Sequence, residues 1–254
     1  MFIDLNSDMG EGFGPWQMGD DAAMLDIVTT ANIACGLHAG DPMIMRRTVE
    51  MAHARGVAVG AHPGYADLAG FGRRALPGVT ASEIETLVAY QAGALAGICA
   101  SVGVPMAHVK THGALGNACA DDDALADAVA RGIRAVDPAL AFIVLPGTAT
   151  ERAADRHGLR AIPEIYADRT YGEGFNLAPR STPGSVITDP AEAAARALRM
   201  LGDGRIETLG GKTLKTPIQS ICLHSDTPGA IAMARHLRHA LEAGGWTCAG
   251  WAGR

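Results

Sequence analysis

Four short tracts carry the residues that could do chemistry: DLNSD at 4–8, HVKTH at 108–112, EIYAD at 164–168 and CLHSD at 222–226. Alternate side chains of a strand share a face. Each tract therefore lines up polar groups on one side: Asp4, Asn6 and Asp8; His108, Lys110 and His112; Glu164, Tyr166 and Asp168; Cys222, His224 and Asp226. Carboxylates, imidazoles and a lysine converging on one place can move protons and stabilise developing negative charge. Each residue taken alone also fits an ordinary, hydrogen-bonded buried group. Asp4 and Asn6, deeper along their strand, are as well explained by structure as by function. Four polar faces together would load one core with charge unless they met at a site. The catalytic candidates are Asp8, Glu11, Lys110 and His112.

The two histidines of HVKTH suggest a metal pair. On a strand they stand about 13 Å apart, too far for one ion, with a cation between them. His62, His108, His112, His224 and the nearby aspartates would suffice for zinc or a similar ion. A subset such as Asp8 with His62 and His112 stays open, and no metal is assigned. Two glycine-rich turns add candidates. ACGLHAGDP (34–42) places His38 at a strand end, and GAHPGYADLAGFGRR (60–74) places His62 before a proline and ends in Arg73 and Arg74. Helix starts behind such turns suit anions, and Arg73, Arg74, Arg169 and Arg180 have the chemistry to grip a carboxylate or phosphate. The substrate-binding candidates are Asn6, Asn32, His38, His62, Arg73, Glu164, Arg180 and His224. GGKT at 210–213 is not a phosphate-binding loop, because Ile206 stands where that motif needs its first glycine.

The elements that must position these residues alternate along the chain. Strands are expected at FIDLNSD, TTANIAC, GVAVGAH, MAHVKTH, AFIVLP, LRAIPEIYAD and SICLHSD. A helix is expected after each. Asp41-Pro42, Asp189-Pro190 and Thr227-Pro228 place a cap before a first-turn proline. Thr80 with Glu83 and Thr148 with Glu151 fit capping boxes. Asp121 or Asp122 caps a fifth start, and the first helix follows Gly19 and includes Met24, Leu25, Ile27 and Val28. Seven strand–helix units imply an α/β protein with parallel strands; pattern alone does not separate an open sheet from a closed barrel. A Gly/Pro-containing loop at 168–188 and a hairpin at 203–217 interrupt the alternation, in a chain expected to form one domain over 1–254.

The bulk properties exclude several classes. A net charge of −6, without basic clusters, argues against general nucleic-acid binding. Five cysteines without a CxxC pair read as reduced thiols of a cytoplasmic protein. The N-terminus lacks the features of a signal peptide. The uncharged stretch 86–107 is long enough to cross a bilayer, but Gln91, Pro105 and the lack of basic flanks favour a buried helix over a membrane span.

DLNSDMGEGFG, ANIACGLHAGDP, GAHPGYADLAGFGRR, HVKTHGALGN, ADRTYGEGFNLAPR and ICLHSDTPGAIAMA, in that order, resemble the LamB/YcsF family, the family of the 5-oxoprolinase A subunit. The resemblance runs from residue 2 to about 243. It implies a seven-stranded (β/α) barrel of the glycoside hydrolase/deacetylase type. It also implies ATP-dependent opening of 5-oxoproline to L-glutamate together with separate B and C subunits. The chain departs from the family's usual residues at Ser7, Thr111, Gly116, Ser225 and Thr227, where Cys, Pro, Tyr, Gly and Asn are usual. Gly116, lacking a tyrosine side chain beside the cluster, is expected to alter substrate fit. With no phosphate-binding loop here, the partners would phosphorylate the lactam and this chain would hydrolyse the intermediate. Asp8 or Glu11 would then serve as base, Lys110 and His112 would stabilise charge, and Arg73 or Arg180 would hold carboxylate or phosphate. The alternatives are a metal-dependent deacetylase or amidohydrolase acting alone, and a non-catalytic accessory subunit that binds a small carboxylate.

Overall fold

The computed structural model describes residues 1–226 and 229–251. In chain order the elements are β1 (Phe2–Met9), α1 (Asp21–Leu25), β2 (Thr30–Ala34), α2 (Pro42–His53), β3 (Ala58–His62), α3 (Ala81–Ser101), β4 (Met106–Val109), α4 (Gly113–Asp121), α5 (Asp123–Val136), β5 (Ala141–Val144), α6 (Ala149–Arg156), β6 (Ala161–Tyr166), α7 (Pro190–Asp203), β7 (Arg205–Glu207), β8 (Thr213–Lys215), β9 (Ser220–Leu223), α8 (Ala230–Ala243) and β10 (Thr247–Cys248). Strands β1 to β6 and β9 pair in sequence order, all parallel, and β9 returns to β1 with Asp4 opposite Ser220 and Ser7 opposite Leu223. That pairing closes the seven-stranded barrel. β10 adds a short parallel pairing outside it, Phe2 to Thr247.

Alternation along β1 sorts the two sides. Ile3, Leu5 and Met9 join the apolar layer under the helices, while Asp4, Asn6 and Asp8 point into the barrel and hydrogen-bond there. Ser7, on the helix side, donates to the Leu223 carbonyl at 2.7 Å. The helices lay apolar stripes on this layer. Ile84, Val88, Ala92, Leu95 and Cys99 of α3 recur every three or four residues and are buried. α3 is the one helix among the described residues long and apolar enough to cross a membrane, and its Gln91 is fully buried, donating to Gly64 O at 2.8 Å.

Local signals set most helix starts. Asp41 caps α2 through Met43 and Ile44, Asp122 caps α5, Asp189 caps α7, and Thr80 and Glu83 form a complete capping box on α3. Four details differ from the sequence reading. α1 ends at Leu25, leaving Ile27 and Val28 buried in the following turn. An eighth helix, α4, starts directly behind β4 without a side-chain cap. Its entry is the left-handed Gly113 (φ 52°), where a Cβ would lie 2.8 Å from the Gly72 carbonyl. The Thr148 box does not form, because Thr148 donates to Leu145 O and Glu151 accepts from Gly147 N. α8 begins at Ala230 behind Gly229; the expected Thr227-Pro228 start lies outside the described residues.

The two insertions meet each other. Tyr171, in the 168–188 loop, bridges to Leu177 within the loop and to Thr208 beside the β7–β8 hairpin. Lys212 of GGKT donates to Glu173 O at 3.1 Å and lies 5.0 Å from the Phe175 ring, so it ties the hairpin to the loop. At the strand starts, the C-terminal tail brings Gly250 next to Thr29 and Trp251 among Ala141, Ile143 and Ile162, under the His108 ring at 5.6 Å.

Candidate active site

A cavity of about 550 Å³ opens where the barrel strands end. Asp8, His62, Lys110, Glu164, Tyr166 and His224 contribute to its lining, as do Thr111–Ala114, Gly116 and Asn117 behind β4, Asn176–Arg180 of the long loop, and Arg73. The strand alternation delivers the first group, whose inward side chains reach the cavity toward the strand ends, where parallel barrels bind ligands.

Lys110 is the hub. Its ammonium is 2% exposed and reaches Asn6 Oδ1 at 3.1 Å, Asp8 Oδ1 at 3.3 Å, Glu164 Oε2 at 3.2 Å and Cys222 Sγ at 2.9 Å. Burial works against its charge, but Asp8, Cys222 and Glu164 outweigh that and hold its pKa well above the usual lysine range. Burial likewise opposes ionisation of Asp8; the His62 and Lys110 charges prevail and hold its carboxyl well below the ordinary value. Glu11 behaves oppositely. Burial and the neighbouring Asp8 lift it well above the carboxylate range. Two carboxyls three residues apart are thus split into an ionised one and a proton-holding one.

Beside Lys110 lies a group of four donors. His62 Nε2 stands 3.1 Å from His112 Nδ1 and 3.3 Å from Asp8 Oδ2, and His112 Nδ1 stands 3.6 Å from Glu11 Oε1. All four atoms lie within 4.8 Å of one another and all four residues are buried. The far nitrogens are engaged too: His62 Nδ1 contacts the Lys110 carbonyl and His112 Nε2 the Phe71 carbonyl, each at 2.8 Å. Burial and the His62 charge push His112 down to about 3. Among the described residues, this group could hold a metal ion. On the opposite wall His224 Nδ1 meets Asp168 Oδ2 at 2.7 Å, an imidazole–carboxylate pair at the cavity. Burial disfavours the Asp168 charge, yet His224 keeps its carboxyl below the ordinary value.

The expected residues divide by depth. Asp8, Lys110, His112, His62, Arg73, Glu164, Arg180 and His224 line the cavity. Asn6, Asn32, His38 and the catalytic candidate Glu11 are not part of that lining. Asn6, two residues before Asp8, and Asn32, paired beside Asp8, spend their amides on Glu164, Ser220, Asp8 and each other. His38 stacks on the outer side of His112, ring centroids 3.9 Å apart, and faces a second, apolar recess with Glu11, Trp16 and Phe71. His108 also stays below the site, bonded to Asn32 Oδ1 at 2.8 Å, so the paired histidines of HVKTH go to different partners. Tyr166, Asp168 and Asn176 were not among the site candidates. Tyr166 and Asp168 were legible as the inward face of EIYAD; Asn176, in an irregular loop, carried no such signal. Gly116 lines the cavity, and a Cβ there would lie 3.1 Å from the Thr111 carbonyl.

A sequence model described as the LamB/YcsF family matches residues 3–253. A protein named as the A subunit of 5-oxoprolinase, from Rhodopseudomonas palustris (strain ATCC BAA-98 / CGA009), is 53% identical over 253 residues, covering 100% of both chains. One of the same name from Azoarcus sp. (strain BH72) is 50% identical over 98% of this chain and 97% of its own. Among solved structures, a lactam utilization protein from Thermus thermophilus superposes with a TM-score of 0.92 at 44% identity, covering 99% of this chain and 100% of that one. A polysaccharide deacetylase from Bacillus cereus, at 13% identity and a TM-score of 0.51 over 99% of this chain and 92% of its own, shares the fold alone.

Proposed function

The chain belongs to the LamB/YcsF family, and from that premise we propose that it cleaves 5-oxoproline to L-glutamate, coupled to ATP hydrolysis, as the A subunit working with separate B and C subunits in the cytoplasm. The observation that carries this reading is one cavity that holds an ionised Asp8, a His224–Asp168 pair and Arg73 and Arg180, in a chain half identical along its length to proteins named for that reaction. The names of those relatives support its place in a multi-subunit enzyme.

A five-membered lactam is an unstrained amide and a poor electrophile. Phosphorylation of its oxygen by the partner subunits makes the ring carbon electrophilic in this scheme: water adds there, the ring nitrogen departs to leave an acyl phosphate, and a second water releases inorganic phosphate and L-glutamate. GGKT offers no rival site, since Lys212 is spent on the loop. The cavity has room for a phosphorylated lactam rather than the ring alone. Arg180, exposed on the loop, and Arg73, held by Asp226 at 2.7 Å, grip carboxylate and phosphoryl groups. Asp8, held ionised and lining the cavity, takes the proton of the attacking water, while Glu11 beside it holds its own proton. Lys110 contributes charge at the cavity floor; its hydrogen bonds are already directed to Asn6, Asp8 and Cys222. His112 has both ring nitrogens engaged, so the stabilisation of developing charge expected of it passes to Lys110. His224, aligned by Asp168, returns a proton to the departing ring nitrogen.

The test is ATP-dependent release of glutamate from 5-oxoproline, with and without the B and C subunits. Turnover should need all three subunits and fall about a hundredfold or more in Asp8→Asn and His224→Gln. Near-normal rates in both variants, or turnover by this chain alone without ATP, would overturn the scheme.

A further inference from the structure

We propose that Asp8, Glu11, His62 and His112 form a binding site for one divalent first-row cation, with zinc the best match to the donors. The claim rests on ring orientation, not on the lactam reading. Backbone carbonyls can only accept. The contacts from Lys110 O to His62 Nδ1 and from Phe71 O to His112 Nε2 therefore place a proton on each of those nitrogens. In a neutral imidazole the other nitrogen then carries the lone pair. With His62 neutral, as a metal ligand must be, His62 Nε2 and His112 Nδ1 face each other as two acceptors 3.1 Å apart. Asp8 Oδ2 and Glu11 Oε1 join them at 3.3 and 3.6 Å. Once a cation displaces the Glu11 proton, the four residues offer four acceptors within 4.8 Å of one another.

The spacing is that of a coordination shell. With metal–donor bonds of roughly 2.0–2.2 Å, the edges of a tetrahedron are about 3.3–3.6 Å. The 3.3 and 3.6 Å separations fall on those edges, and the two imidazole nitrogens, 3.1 Å apart, need to open only slightly to take the ion. Two imidazoles and two carboxylates suit zinc or a neighbouring dication. The carbonyl behind each imidazole is the outer-shell partner that fixes a metal-binding tautomer. His38 stacks flat on His112 and holds the ring plane; its own two nitrogens are buried without a hydrogen-bond partner. Lys110, the objection raised by the sequence, lies on the other oxygen of Asp8: its ammonium bonds Oδ1, whereas the cluster uses Oδ2.

Purified full-length chain, stripped with chelator, is titrated with Zn2+ by calorimetry and with Co2+ by visible absorption. Neither measurement involves substrate, so failure here is separable from failure of the lactam reading. One equivalent should bind, with the intense visible bands of four-coordinate Co2+. His112→Ala should weaken binding by more than about a hundredfold, beyond the loss typical of an outer-shell change. The conservative Glu11→Gln, checked for folding by circular dichroism, should weaken binding while leaving the chain folded. Binding equal in the wild type and both variants would overturn the proposal. So would nitrogen NMR of the stripped protein showing His62 protonated on both nitrogens and unchanged by Zn2+, because a proton would then occupy the gap.

Discussion

Lys110 compensates two buried carboxylates at once, Asp8 at 3.3 Å and Glu164 at 3.2 Å. Removing one partner of such a group strands the others in a medium that cannot solvate them. Lys110→Met is therefore expected to lose about 3–5 kcal/mol of stability, read by urea denaturation. Lys110→Met/Glu164→Gln should recover part of that loss, since one stranded charge is gone. A merely spatial role for the lysine would give additive losses. His224 carries the same logic to activity: Asp168→Asn should lower turnover of the reconstituted complex while leaving metal content unchanged, because Asp168 touches His224 and none of the four cluster atoms.

At the scale of elements, β3 pairs with β4 so that Gly60 stands opposite His108, whose ring leaves residue 60 no room for a side chain. A Cβ on Gly60 would lie 2.3 Å from the His108 ring, which is fully buried and bonded to Asn32. Gly60→Ala should cost about 1–3 kcal/mol by overpacking, read as a lower denaturation midpoint at unchanged slope. The start of α2 offers a pH test. The Ile44 N–H bond, with those of Gly14 and Met43, holds the Asp41 carboxyl below its ordinary value of 3.8. A depressed folded pKa adds stability that is complete above the unfolded value and lost as pH falls through the folded one. Asp41→Ala should cost about 1 kcal/mol at neutral pH. The gap to wild type should narrow only below pH 3.8, which thermal melts in a pH series would resolve. The start signals at Asp41, Thr80 and Asp189 were readable because a cap acts within one turn. α4 was not, since its entry depends on Gly72, forty-one residues away from Gly113 in the chain.

For the whole molecule, closure decides what the interior is for. The β1–β9 pairing turns inward faces from separate strands into one lined space, with Trp251 at the strand starts and the cavity at the strand ends. Trp251 is 8% exposed and packs on Ala141, Ile143 and Ile162. Trp251→Ala should destabilise the barrel by about 3–5 kcal/mol, measured by calorimetric unfolding, without altering the cavity lining. The sequence by itself determined which strand faces are polar, which helices have caps, and the family to which the chain belongs, because alternation, capping and motif order are properties of neighbouring residues. Tertiary structure alone decided that Asn6 and Asn32 spend their amides inside the barrel, that His108 and His112 part company, and that His62 Nε2 and His112 Nδ1 come within 3.1 Å of each other. Depth and ring orientation depend on strand register and on carbonyls such as those of Phe71 and Lys110. Those contacts join residues about forty or more apart in the chain, a separation that local pattern does not encode.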